Sequence, residues 1–213
     1  MNEGSLHAEL KDVFARPGDE LEVELDGFVV DIRRGDTLIE IQTSSFAAMG
    51  RKLDHLLAGH RMVIVHPIAV ETYLHKAGAK ARRSPKRHDL YALFDELVSM
   101  PTVLDHPNLA IEVVLAEIDK YQEADPSLRR RRGGWRTVDR RLRAVRAHHR
   151  FETVADLAGL VPLDLPPTFT TADLAAAAGT TRASAQKMAY CLRANGLFEP
   201  LERTRRGVVY QRS

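Results

Sequence analysis

Between Leu21 and Gln42 the chain alternates apolar and polar residues in three short runs, separated by Asp26-Gly27 and Arg34-Gly35. A period of two is the pattern of a strand with one face buried. Asp-Gly supplies the two positive-φ residues that a tight hairpin demands. The segment therefore predicts an antiparallel meander with strands over Leu21–Leu25, Phe28–Arg33 and Thr37–Gln42. An isolated meander is marginal in water, so its apolar face has to be covered by neighbouring elements.

Those neighbours are legible on both sides. Leu6–Ala15 carries Leu6, Leu10, Val13 and Phe14 at helical spacing and ends at Pro17-Gly18. After the meander, Thr43, Ser44 or Ser45 caps a helix over Phe46–Ala58. The apolar run Met62–Val65 predicts a strand buried on both faces. Val70–His75 is a further short strand or helical turn. Residues 1–76 thus read as α-β-β-β-α-β around a mixed sheet.

The next stretch reads as a basic helical connector over residues 77–150. Ala77–His88 is polar and predicts a loop. Leu90–Val98 and Leu109–Tyr121 predict helices, the second with Ile111, Val114, Leu115 and Ile118 on one face. Arg129–Gly134 predicts a basic loop and Thr137–His149 a basic helix. Residues 151–213 form a third region. Leu163–Pro167 is a linker, Ala172–Ala178 and Arg182–Asn195 are helices, and Leu197–Leu201 and Val208–Gln211 are strands of a closing hairpin.

Charge narrows the partners. The net charge is +2. It is a cancellation, because residues 129–150 hold ten arginines against one aspartate, while residues 89–128 hold nine acids against one lysine. Basic blocks of this kind point to an anionic polymer. Arg82, Arg83, Lys86, Arg87, Arg130, Arg131, Arg132 and Arg136 are candidate phosphate contacts, and Trp135 a candidate base platform. The one cysteine, Cys191, excludes an intramolecular disulfide and a multi-cysteine zinc cage. With no apolar leader and no membrane-length apolar run, the expectation is a cytoplasmic protein.

Within Phe28–Gln42, alternation puts Asp31, Leu38, Glu40 and Gln42 on one face and Val30, Ile32, Ile39 and Ile41 on the other. A two-residue loop at Arg34-Gly35 makes Asp31 and Glu40 diagonal neighbours. Two carboxylates this close repel, and a divalent cation offsets the repulsion. The order helix, meander, helix, strand, with Asp31 on the second strand and Glu40-x-Gln42 on the third, resembles the PD-(D/E)XK nuclease superfamily over about 75 residues. The resemblance implies a restriction-endonuclease-like α/β core that cuts phosphodiesters with Mg²⁺ or Mn²⁺. It implies Asp31 and Glu40 as metal ligands and Glu9 as an assisting acid acting through water. Gln42 stands where the family usually has lysine, and Lys52, or Arg51 beside it, is the basic residue displaced to the next helix.

Phe169–Gly207 reads FTTADLAAAAGTTRASAQKMAYCLRANGLFEPLERTRRG. Helix, tight turn, longer helix and hairpin resemble a winged helix-turn-helix, mostly α, over about 45 residues. The resemblance implies that Arg182, Ser184, Gln186 and Lys187 on the second helix meet DNA, and that Arg203, Arg205 and Arg206 on the wing pair with phosphates.

The expected activity is a metal-dependent DNA endonuclease. Two alternatives stand beside it: a DNA-binding regulator with a degenerate nuclease-like domain, and a protein-interaction scaffold. A homodimer is a further possibility.

Overall fold

The computed structural model describes residues 4–128, 134–205 and 207–213. The chain divides into two units that interleave along the sequence. One comprises Met1–Thr43, Ile64–Leu90 and Glu112–His149; the other comprises Ser44–Val63, Tyr91–Ile111 and Arg150–Ser213.

The first unit is built on α1 (Ser5–Phe14) and a sheet whose strands are β1 (Glu20–Leu25), β2 (Phe28–Arg34), β3 (Thr37–Ile41), β4 (Arg61–Lys76), β5 (Arg82–Arg83), β6 (Leu109–Ala124) and β7 (Trp135–Phe151). The sheet order is β1-β2-β3-β4-β6-β7, with β5 paired to β4. The meander forms as the alternation demands. Leu25 pairs with Phe28, and the turn between them has φ of 50° at Asp26 and 80° at Gly27. The second turn differs from expectation. Arg34 pairs with Thr37, so Gly35-Asp36 makes the turn and the register shifts by two. A shift of two preserves faces, and Val30, Ile32, Ile39 and Ile41 are buried as expected.

Two expected helices are strands. Leu109–Tyr121 lies in β6, where β-branched Ile111, Val113, Val114 and Ile118 favour the pleated conformation over the helix that the 3–4 spacing proposed. Thr137–His149 lies in β7, the edge strand, whose arginines are exposed. Charged side chains are well suited to an edge, because they discourage pairing with further strands. The expected helical connector is therefore the far half of the sheet. Correspondences between β4 and β6 advance together, from Met62 bonded to Asn108 to His75 bonded to Asp119, so these strands run parallel. Pairs from Arg136–Glu123 to Arg146–Glu117 run in opposite senses, so β6 and β7 are antiparallel.

The second unit contains a 3₁₀ turn over Phe46–Met49, α2 (Gly50–Leu56), α3 (Leu93–Leu97), α4 (Val154–Ala158), β8 (Thr168–Thr170), α5 (Thr171–Ala177), α6 (Arg182–Ala194), β9 (Phe198–Thr204) and β10 (Gly207–Arg212). Ser45 caps the 3₁₀ turn through its hydroxyl. Capping boxes at Thr153/Asp156 and Thr170/Asp173 start α4 and α5. Each satisfies backbone donors that the helix leaves orphaned. Strands β8, β10 and β9 form a small antiparallel sheet in that order. Phe169 and Phe198 meet edge-on beneath it at 4.8 Å, and Leu174, Met188 and Leu192 are fully buried. Among the described residues, no helix is long and apolar enough to cross a membrane.

Candidate functional site

The ladder between β2 and β3 stops at Ile32–Ile39. Beyond it, the Asp31 carboxylate enters the gap and its Oδ2 accepts the Ile41 N–H at 2.7 Å. Continuing the register sets Glu40 directly opposite Asp31, closer than the diagonal expected. Asp31 is 9% exposed and Glu40 is half-buried. Opposed residues of this kind bring their Cβ atoms to about 5 Å.

Helix α1 supplies the charges that face this row. His7 Nε2–H donates to Asp31 Oδ1 at 2.9 Å. One turn later, Lys11 pairs with Glu22, the β1 residue that the register sets beside Asp31. His7 and Lys11 are i and i+4, so a single helix face carries both. The sequence reading selected Glu9 instead. Its Oε2 accepts the Leu142 N–H at 2.5 Å and so ties α1 to β7. The helical spacing of His7 and Lys11 with buried Leu6 and Leu10 was the available signal. Gln42 carries a structural bond through its carbonyl, which accepts from the buried His66 Nδ1–H at 2.8 Å. Lys52 and Arg51 stand on α2, in the second unit. Among the described residues, no three His, Cys, Asp or Glu side chains gather in a geometry that holds a metal ion.

His7 and Thr43 also line a cleft of about 670 Å³, whose other walls include Lys120, Gln122, Trp135 and Arg140. Lys76 sits over the Trp135 ring, its Nζ 4.0 Å from the centroid.

Several described residues of the basic blocks pair with carboxylates of the first unit. Arg83 and Arg87 pair with Glu71 at 3.2 and 3.1 Å. Arg136 faces Glu123 at 3.7 Å. Arg143 bonds Asp119 at 3.1 Å and lies 4.0 Å over the Tyr73 ring. Arg146 grips the buried Glu117, which holds its guanidinium pKa above the ordinary value through that hydrogen bond. Glu71 is itself kept below the usual carboxylate range, first by the Tyr73 hydroxyl and then by Arg83 and Arg87. Arg82 and Lys86 are exposed. Arg130, Arg131, Arg132 and Arg206 lie outside the described residues.

In the second unit, Thr181 caps α6 by accepting the Ser184 N–H. Gln186 is exposed, and Lys187 pairs with Asp95 of α3 at 2.9 Å. The Arg182 guanidinium reaches the β9–β10 turn, 3.8 Å from where a Cβ on Gly207 would lie. Arg203 and Arg205 are exposed on that hairpin. Cys191 is buried, and burial pushes its thiol up to about 12.

These features define a mixed α/β protein with a carboxylate pair on adjacent strands and a basic cleft beside it. The chain belongs to the family described as "Domain of unknown function (DUF8091)", whose model matches residues 4–152. It is 31% identical over 216 residues to an "Uncharacterized protein" of Treponema pallidum (strain Nichols), covering 99% of this chain and 85% of that one. No solved structure matches the chain.

Proposed function

We propose that this chain is a DNA-binding protein with a PD-(D/E)XK-like core that hydrolyses phosphodiester bonds with Mg²⁺ or Mn²⁺. The observation that carries the reading is the placement of Asp31 opposite Glu40, in the α-β-β-β-α-β order, beside a cleft with cationic walls. Mg²⁺ is commonly held by one or two carboxylates with waters completing the shell, so this oxygen donor pair suits it. Asp31 and Glu40 would hold the ion, whose chemistry is to polarise a phosphoryl oxygen and acidify water. His7 orients the Asp31 carboxylate, and the cleft cations attract the phosphates. Gln42 is the remaining candidate of the first unit for orienting water and phosphate.

The C-terminal elements support a winged helix. They run α4-β8-α5-α6-β9-β10, the strand before the two helices pairs with the last strand, and Arg182, Arg203 and Arg205 cluster at the hairpin. In this reading α6 enters the major groove and the hairpin meets the backbone.

Cleavage of a labelled DNA substrate by the full chain, with and without Mg²⁺ or Mn²⁺, tests the activity. Divalent-dependent cutting should vanish in Asp31→Asn and Glu40→Gln. Cutting that persists in both purified variants would sink the proposal. A second reading, a regulator that binds DNA without cutting it, is favoured by Gln42 at the lysine position and by His7 already engaging Asp31. Binding without cleavage across a range of metals selects it.

A further inference from the structure

We propose that α6 reads duplex DNA through one exposed stripe, Arg182, Gln186, Tyr190 and Arg193, in which Gln186 selects an adenine and Tyr190 a thymine. The inference deepens the DNA binding proposed above and rests on it.

Helix α6 has 13 residues and buries Ala185, Met188, Ala189, Cys191 and Leu192. At 3.6 residues per turn these fall on one side of the helix. Arg182, Gln186, Tyr190 and Arg193 stand at i, i+4, i+8 and i+11, within an arc of about 80° on the other side. All four are exposed, and Tyr190 leaves 43% of its surface open. Two residues that the sequence reading set against DNA lie off this stripe. Ser184 is half-buried, and its hydroxyl meets that of the capping Thr181 at 3.0 Å. Lys187 is turned toward α3, where it pairs with Asp95. Packing has therefore rotated the available face away from Ser184 and Lys187. It has also extended that face along the helix to Tyr190 and Arg193, which the sequence reading did not select.

The chemistry of the stripe suits duplex DNA. It carries two arginines, an amide and a phenol ring, with no carboxylate and no aliphatic side chain to anchor a protein. Arg182 to Arg193 spans about 16 Å, or about five base pairs. A major groove about 12 Å wide admits a helix laid in this way. The Arg182 end adjoins the β9–β10 turn, where the exposed Arg203 and Arg205 outnumber Glu202. A glutamine amide matches the donor and acceptor on the major-groove edge of adenine, and an apolar ring suits the thymine methyl. Gln186 and Tyr190 are one turn apart, about 6 Å or two base pairs. The arginines at the two ends of the stripe supply charge for phosphates.

The test selects binders of the full chain, in EDTA, from a pool of twenty-base-pair duplexes randomised at the centre. We expect a motif of about five base pairs in which an adenine and a thymine stand about two positions apart. Replacing that adenine with 7-deazaadenine should weaken binding by about tenfold. Replacing the thymine with uracil should weaken it by about fourfold, the worth of one buried methyl. Gln186→Ala should no longer sense the first replacement, nor Tyr190→Ala the second, while Tyr190→Phe should keep the response to uracil. Arg193→Gln should weaken all duplexes alike and flatten the log–log salt slope by about 0.9. Lys187→Gln should leave both base responses intact. Equal binding of all duplexes, or a motif without that adenine and thymine, overturns the stripe while the proposed DNA binding stands. So do base responses that survive in Gln186→Ala and Tyr190→Ala, or that disappear in Lys187→Gln. Failure of every duplex to bind overturns both.

Discussion

Replacing Asp31 has a structural consequence that can be separated from any catalytic one. Ile41 is 1% exposed, and its N–H has the Asp31 Oδ2 as acceptor at 2.7 Å, where the strand ladder has already ended. In Asp31→Ala that buried donor loses its acceptor, and His7 loses the group it orients toward. An orphaned buried donor costs about 1–3 kcal/mol, so we expect a loss of about 2 kcal/mol. For a chain of this size that is a fall in Tm of about 4–8 °C. Asp31→Asn retains an amide oxygen for the Ile41 N–H and should lose clearly less stability than Asp31→Ala. Urea unfolding of the three proteins gives the free energies, and hydrogen exchange at the Ile41 amide locates the effect. Equal stability of Asp31→Ala and the parent would refute the reasoning, as would an Asn variant as unstable as the Ala variant. The Asn substitution is consequently the proper control for loss of cleavage.

Other expectations follow from the same interactions. Reversing the β7 charges in Arg143→Glu/Arg146→Glu sets like charges against Glu117 and Asp119. It should lower the urea midpoint sharply, because Glu117 is buried and keeps its charge without a partner. Cys191 should ignore a thiol reagent at pH 7.5 in the folded chain and titrate as one thiol in denaturant, since burial holds its pKa near about 12. Thr170→Ala removes the α5 cap and should cost about 1 kcal/mol by urea unfolding. The backbone N–H groups of Glu152 and Thr153 hold the Asp156 carboxyl below its ordinary 3.8. A depressed folded pKa stabilises above the unfolded value and is lost as pH falls through the folded one. Asp156→Asn should therefore be less sensitive to acid than the parent below about pH 4, seen in urea midpoints at pH 6 and pH 3.

The candidate site was half visible in advance. Asp31 and Glu40 could be placed on one face, because alternation fixes faces even when the turn is misplaced by one residue at each end. His7 and Lys11 were missed because their role depends on where α1 docks, which no local pattern states. Glu9 illustrates the converse: an acid on the right helix, committed by tertiary structure to the Leu142 N–H. The arginines of residues 129–150 read as a phosphate surface, and several face carboxylates of β6 and its neighbours that are distant in sequence.

By itself the sequence determined whatever depends on near neighbours: the meander with its Asp26-Gly27 turn, helices α1 and α6, and the closing hairpin, while of the three cap candidates Thr43, Ser44 and Ser45 the structure selects Ser45 on a 3₁₀ turn. Turn chemistry, capping and short-range periodicity act within a few residues, so one chain suffices to read them. Only the tertiary structure decided that Leu109–Ala124 and Trp135–Phe151 are strands. Strand propensity is realised through partners, and β6 needs β4 on one side and β7 on the other to satisfy its backbone. The same long-range pairing sets Arg136, Arg143 and Arg146 against carboxylates of β6.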